Sequence, residues 1–560
     1  MSTDERKREE AVEKAGDGEP SVVQERLNWK LAQRDDKRVA QGLYAGEEIE
    51  EMHELSDAGL LDEFFAFLEE VGMMEVFAEV VLPSVKRMLV PTIQFLLLYL
   101  LKVLFGSESM HELPRVLFSN IGLMELVGFN AQQCEQGLTK RGDAQRKTKK
   151  KQGPITSQCL ADNISKLTQE EMERILNRMV QLLARCGLLS GQILAALDGS
   201  KLPTPESYEG CGKLKQTRSV KVKGQKEPVT QEYYLYGWKV LVLIDVQTRL
   251  PLAMKLLSIA DYEGKWLVPL LEQAQSNLGT HARITTIVID RGYLDGEDLF
   301  RVHQMGLLFV IVGKANMSVV ADAQGLAQGE RATIRERVVR HGHGKKTTQQ
   351  RLRTELVGLE ALTSYDTYGE PSQTHYAHRR DYVGQTINAV VVRKWENRVP
   401  KTGGTVYLTN GSVSDPFVVF DTYDWRSVIE NGIFKEGKYP WHLLRFPKRN
   451  QAGVVVHCHF TLLVMSLCTA FRLWQVKPAS TGDDPAPLAL SSALLAGEGT
   501  ARWRKRLREE NRDKIIVFLG SAYGIFHLAE FAVLTHVPIR CLPAPLGSPQ
   551  DVLRRFEIGP

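Results

Sequence analysis

Two apolar runs close on an aspartate: LAALDGSK carries Asp198 and TTIVIDRGY carries Asp290, while a later segment of helical texture, YDWRSVIENGIF, presents Glu430. Carboxylates from three separate elements make a hard oxygen donor set of the kind Mg²⁺ or Mn²⁺ takes. Two such ions, roughly 3.5–4 Å apart, activate an attacking oxygen and stabilise a leaving one in an in-line displacement at phosphorus. The residue types therefore suggest a two-metal phosphodiester site with Asp198, Asp290 and Glu430 as catalytic groups and metal ligands, with no covalent protein intermediate. Strand-end carboxylates meet at one sheet edge however far apart they stand in the chain. Of the two intervals, the 92 residues from Asp198 to Asp290 hold further strands and a helix. The 140 from Asp290 to Glu430 are too many for a simple connection and imply an inserted subdomain.

The elements that must position these groups follow from short apolar runs at 193–197, 233–244, 251–259, 284–289 and 307–312, which read as strands. The turn Asp245-Val-Gln-Thr-Arg249 has hairpin length and makes the second and third runs antiparallel neighbours. Stretches 262–278 and 294–306 have helical length, so the expected order is β-β-β-α-β-α-β. Asp245 and Asp261 lie in or beside loops and read as turn and capping residues. Asp295 reads as an N-cap, with Glu297 and Asp298 in the first turn it opens. Arg426 and Glu430 are four apart and Tyr423 sits one turn earlier, so all three share a helix face. Alone, the Arg426–Glu430 spacing suits a surface ion pair; beside two strand-end aspartates it suits a site in which Arg426 orients Glu430 or grips a phosphate.

Composition bounds the rest. At 560 residues several domains are expected, and a net charge of +4 makes basic character a matter of patches. These lie at 140–151, 213–226, 331–353 and 502–508. Seven cysteines without a C-x-x-C pair argue against a disulfide framework or zinc ribbon and favour reduced, intracellular thiols. His457-Cys458-His459 reads as ordinary packing, because consecutive residues point apart. The charged start MSTDERKREE gives no export signal. The run 88–105 contains Pro91, Gln94 and Lys102 and reads as a buried helix, not a membrane span. The domains expected are a charged flexible arm (1–55), an all-α DNA-binding domain (56–190), a catalytic core (191–475) with a β-rich insertion (313–415), and a linker with a helical tail (476–560) as candidate dimerisation element.

That strand order, with carboxylates on strand one, after strand four and on a late helix, resembles the ribonuclease-H-like mixed α/β core of DDE transposases. The segment Tyr423-x2-Arg426-x3-Glu430 is similar to the Y-x2-R-x3-E signature of bacterial insertion-sequence transposases with a β-rich insertion, and Asp198-Gly-Ser and Asp290-Arg-Gly-Tyr resemble their other carboxylate motifs. In that signature a lysine follows six residues on; position 437 is Gly437 here, with Lys438 one place late and Lys435 as the nearer alternative. The resemblance implies a DNA transposase with two Mg²⁺ or Mn²⁺ per site that cuts at element ends and joins the freed 3′-hydroxyl to target DNA. It further implies Tyr423, Arg426 and Lys438 in support, a homodimer in a synaptic complex with double-stranded DNA, no membrane, and a bacterial cytoplasmic setting. The DNA contacts expected are Lys140, Arg141, Arg146, Lys147, Lys149, Lys150 and Lys151 of the basic loop, with Arg291, Trp425 and Trp441 near the site. A metal-dependent nuclease without joining activity and an inactive DNA-binding descendant are the alternatives.

Overall fold

β-Branched and leucine-rich runs bounded by turns form the expected strands, and their pairing follows the connections between them. In the computed structural model the residues described are 33–55, 60–82, 90–138, 153–220, 229–341, 348–370, 385–397, 399–400, 404–475, 513–539, 542–543 and 546–559. Two short strands, β1 (Gln33–Arg34) and β2 (Glu51–Glu54), precede the helical region. The core follows with β3 (Gly191–Thr204), β4 (Gly212–Val220), β5 (Val229–Asp245), β6 (Pro251–Ser258), β7 (Ala282–Ile289) and β8 (Leu308–Val312). β5 pairs antiparallel with β3 and β6, and β3 and β7 pair parallel, as do β7 and β8, so the neighbours across the core run β6–β5–β3–β7–β8. Each parallel step is bridged by a helix, Leu267–Leu278 before β7 and Gly296–Gln304 before β8, as parallel neighbours require. β4 was read only as a basic patch; it is a strand antiparallel to the first half of β5.

The long second interval extends the same sheet. β9 (Thr333–His341), β10 (Thr348–Leu362), β11 (Ile387–Glu396), the short β12 (Val399–Pro400) and β13 (Thr405–Thr409) follow one another, and β13 docks antiparallel on β8, giving an 11-stranded mixed sheet. The insertion therefore shares the core's hydrogen-bond ladder. Helix Pro416–Asp424, capped by Asp415 with Pro416 at its first position, packs on β8, β10, β11 and β13 and delivers the chain to β3.

One face of the core rests on long apolar helices. In Gln169–Arg185, Thr168 accepts from the Glu171 N–H at 3.2 Å, Met172, Ile175, Leu176, Met179 and Leu183 are buried, and Gly187 follows with φ 71°. Helix Thr92–Leu104 is buried along nearly all its length, and its 13 residues are too few for a bilayer. Among the described residues one helix, Gln451–Gln475, is long and apolar enough to cross a membrane, and its apolar window is wholly buried inside the fold. Within it His457 contacts the Tyr99 hydroxyl at 2.9 Å and His459 the Val455 carbonyl at 2.7 Å, which is packing and not metal chemistry.

The two ends of the described chain depart most from expectation. Residues 33–54, assigned by composition to a flexible arm, and the apolar stretch beyond 513, assigned to a helical dimerisation tail, form one four-stranded sheet. Its order is β1–β15–β14–β2, with β14 (Lys514–Leu519) and β15 (Ala522–His527) as the central hairpin. Helix Asp36–Ala45 buries Val39, Ala40 and Leu43 against Ile515, Val517 and Phe526. The tail's apolar residues are thus covered by the chain's own N-terminal segment, a long-range pairing invisible to local periodicity.

Candidate active site

Register brings the aspartates together. The parallel pairing of β3 with β7 ends at Leu197 opposite Ile289, so Asp198 and Asp290 are the next residues on adjacent strands. Strands so paired stand about 4.8 Å apart. β3 does not stop at Asp198 as the sequence suggested; it continues to Thr204 against β5, which leaves Asp198 mid-strand with its β7 side open. Its Oδ1 accepts from the Gly199 N–H at 2.7 Å and its Oδ2 from Arg426 Nη1 at 3.0 Å. Arg426 comes from the chain just ahead of the short turn Ser427–Ile429, which packs on β3.

A fourth carboxylate stands in the same place. A Cβ added to Gly199 would lie 2.9 Å from Glu263 Oε2, and one added to Gly292 would lie 2.8 Å from Glu263 Oε1. The Glu263 carboxylate is therefore wedged between the residue after Asp198 and the second residue after Asp290. Lys239 Nζ stands 3.5 Å from it. The Tyr293 hydroxyl is near the Gly199 position too, at 3.7 Å from the added Cβ; Tyr293 is 1 % exposed and its oxygen has no hydrogen-bond partner among the described residues. A buried hydroxyl left unpaired beside several carboxylates is a donor awaiting a ligand.

The electrostatics agree. Burial pushes the Asp198 carboxyl up to about 6, and Asp290 and Glu263 push the same way against the Gly199 N–H and Arg426. Burial alone would lower the Arg426 guanidinium, yet Tyr423, Asp198, Asp290 and Glu430 together hold it above its ordinary value. All three expected acidic groups therefore act on one guanidinium. Tyr423 is raised by burial, with Arg426 opposing, and its ring packs on Tyr407 at 4.8 Å between centroids. Asp198, Asp290 and Glu263 lie together with two contacting cations, Arg426 on Asp198 and Lys239 on Glu263, and Glu430 acts on Arg426. An all-oxygen donor set with surplus negative charge is what Mg²⁺ or Mn²⁺ needs, so the residues present fit such ions.

Residues 189–467 match the family described as transposase DDE domain, a span that begins two residues before β3 and ends in the last core helix. The chain carries a transposase DDE domain. No curated protein matches the chain significantly. The match supports the resemblance to insertion-sequence DDE transposases and suggests an enzyme acting on DNA.

Within the transposase domain the remaining expected residues separate. Trp441 is 1 % exposed and packs in the core, so it cannot stack on a base as expected; Trp425 is 46 % exposed and Arg291 is exposed. The stretch 140–151 lies outside the described residues. Asp245 accepts from Thr248 Oγ1 at 2.6 Å and Asp261 from the Ser258 N–H at 3.2 Å, both turn roles, and Asp295 caps its helix. Glu430 is exposed and opens a π-helical turn, Glu430–Lys435. Such a turn holds one residue more than an α-turn, and Lys438 follows it. Gly437 is buried and its Cβ position faces Leu443 at 3.4 Å and Met465 at 3.6 Å, an apolar surrounding; Lys438 is half-buried and Lys435 exposed. Glu263 was missed because 262–278 read as the helix before the fourth core strand, so a glutamate in its first turn drew no notice. Its only sequence signal is the pair of glycines, Gly199 and Gly292, that make room for it.

Proposed function

We propose that this protein is a DNA transposase that cleaves at the ends of its element and joins the freed 3′-hydroxyl to target DNA, with Asp198, Asp290 and Glu430 holding two Mg²⁺ or Mn²⁺. The observation that supports this reading is the adjacency of Asp198 and Asp290 at the open edge between β3 and β7, with Arg426 bonded to Asp198, inside the stretch that matches the transposase DDE domain. The order β6–β5–β3–β7–β8, with aspartates on the first and fourth of these strands in chain order, supports a ribonuclease-H-like core. Bound there, the ions supply positive charge at both the attacking and the leaving oxygen. The chain's own groups hold and orient. Arg426 fixes Asp198 through one nitrogen and keeps other N–H donors for a phosphate, Tyr423 backs the guanidinium, and the Tyr293 hydroxyl offers a donor inside the cluster. Each chain contributes one carboxylate set, so acting on two ends takes two subunits.

The test is incubation of the purified protein and Mg²⁺ with labelled duplexes carrying the element's ends and a target plasmid. Nicked ends followed by joined products, formed in a complex of two chains and two ends, are expected. Cleavage without joining would make the protein a nuclease, and end binding without cleavage an inactive descendant.

Glu263 completes the donor set as a fourth carboxylate. Glu263→Gln keeps the side chain's shape and a contact for Lys239, yet is expected to raise the Mg²⁺ concentration for half-maximal cleavage by roughly 10–100-fold, as losing a group that tunes a metal site does. An unchanged Mg²⁺ dependence would reduce Glu263 to the partner of Lys239.

Lys438 takes the signature lysine's role. A charge-assisted contact to phosphate contributes about 1.5–3 kcal/mol, so Lys438→Ala should slow cleavage by roughly 10–100-fold while Lys435→Ala leaves it near the parent rate. The reverse pattern would move the role to Lys435.

A further inference from the structure

A second set of metal-ligating side chains lies on elements that contribute nothing to the carboxylate cluster on β3 and β7. Glu51 and His53 are alternate residues of β2, the two partly buried positions of a strand whose other two residues are exposed, and so share a face. Glu125 comes from the helix Ile121–Leu126, which packs against β2 so closely that a Cβ on Gly122 would lie 2.5 Å from the Glu54 carbonyl oxygen. One ligand atom from each of the three lies within 4.8 Å of the other two.

The Glu125 side chain is 1 % exposed, neither oxygen has a hydrogen-bond partner of good geometry among the described residues, and burial with the neighbouring Glu51 carboxyl pushes its own up to about 9. An ionised carboxylate buried in that condition is costly unless a cation is present. His53 Nε2 stands 3.1 Å from Glu125 Oε1, yet the contact lacks the alignment of a hydrogen bond. Two donors placed tetrahedrally at roughly 2.0–2.1 Å from a single ion stand about 3.3 Å apart. The spacing and misalignment are those of two ligands pointing at a shared centre, not at each other. The imidazole also decides the class of ion, because nitrogen with carboxylate suits zinc and its first-row neighbours, whereas all-oxygen sets suit Mg²⁺.

We propose that Glu51, His53 and Glu125 bind one divalent cation of the zinc class, with solvent completing the tetrahedron, and that the ion pins β2 to the helical region. Because β2 pairs with β14, the ion ties the four-stranded terminal sheet to the rest of the molecule. A proton shared between Glu51 and Glu125 is the other way to relieve two neighbouring carboxylates, and the experiment separates the two.

The full-length chain carrying Asp198→Asn and Asp290→Asn, which take the two strand aspartates out of the other cluster, is stripped with chelator and titrated with Zn²⁺ against a chromophoric competitor. One Zn²⁺ per chain is expected, with a thermal unfolding midpoint several degrees higher in its presence. Adding Glu125→Gln should weaken binding at least tenfold and remove the shift in midpoint. His53→Asn, at a side chain 27 % exposed, should do the same and decides the matter if the Glu125 variant does not fold. No Zn²⁺ bound by the parent of this series, or binding unaltered by the His53 change, overturns the proposal. Neither result bears on the transposase reading, because Asp198 and Asp290 are replaced in every protein in the series and Zn²⁺ binding is read out, not cleavage.

Discussion

Alanine at Asp198, Asp290 or Glu430 lowers end cleavage by roughly three orders of magnitude or more while DNA binding survives. Charge stabilisation by bound metal supplies several kcal/mol at the transition state, and each 1.36 kcal/mol is a factor of ten in rate. Binding persists because it rests on cationic surfaces away from the three acids. Misfolding can be ruled out in the same experiment. Burial and the neighbouring acids hold the folded-state Asp198 carboxyl near 6, above the ordinary 3.8, so without divalent ions the group costs stability as pH rises from about 4 through 6. Asp198→Asn should then unfold at the same temperature or a higher one at pH 7 in chelator, yet be inactive in Mg²⁺. An Asp198, Asp290 or Glu430 variant that cleaves at near the parent rate would sink the assignment.

Lys514→Met destabilises the protein by about 3 kcal/mol, the lower end of the cost of stripping one partner from a buried ion pair. Lys514 Nζ donates to both oxygens of Asp62 at 2.9 and 2.8 Å, with side chains only 9 % and 6 % exposed. Arg34 Nη2, 3.7 Å from Asp62, remains as a weaker partner and keeps the cost from the upper end of the range. Asp62→Leu combined with Lys514→Met should recover most of the loss, since no unpaired charge is then left inside. Urea unfolding followed by fluorescence measures both. A single-variant effect below about 0.5 kcal/mol would mean the pair is wet. Deleting everything after residue 475 removes this lysine and the two central strands of the terminal sheet together, so such a truncation unfolds the N-terminal segment before it can report on assembly.

Asp198 and Asp290 were legible because an apolar run flush against a single carboxylate is a local pattern, and Arg426 and Glu430 because four-residue spacing fixes a helix face. What could not be read was carried by distance or by disguise. β4 looked like a charged loop, since its cations lie on tyrosine faces instead of alternating with apolar residues: Lys213 Nζ stands 4.3 Å from the Tyr234 ring and Arg218 5.4 Å from that of Tyr233. Trp441 looked available for stacking because burial has no signature at a single position. Glu263 depends on clearance at two glycines in other elements, and the π-turn after Glu430 has no local marker. The terminal sheet joins strands of two to six residues across most of the chain, and nothing local announces a partner that far away.

That last pairing sets a timetable for synthesis. β1 and β2 are the edge strands of their sheet, and their neighbours in it, β15 and β14, lie 489 (Gln33 to Ala522) and 461 (Glu54 to Ile515) residues downstream. At roughly 5–20 residues per second, a ribosome takes about 25–90 s to travel that far. Throughout that interval the nascent N-terminal segment has no strand to pair with, and Val39, Ala40 and Leu43 have no hydrophobic lid. The sheet closes only after the last stretch of message is read, so a chain released early keeps its DDE domain but exposes the unpaired edge that chaperones and proteases recognise.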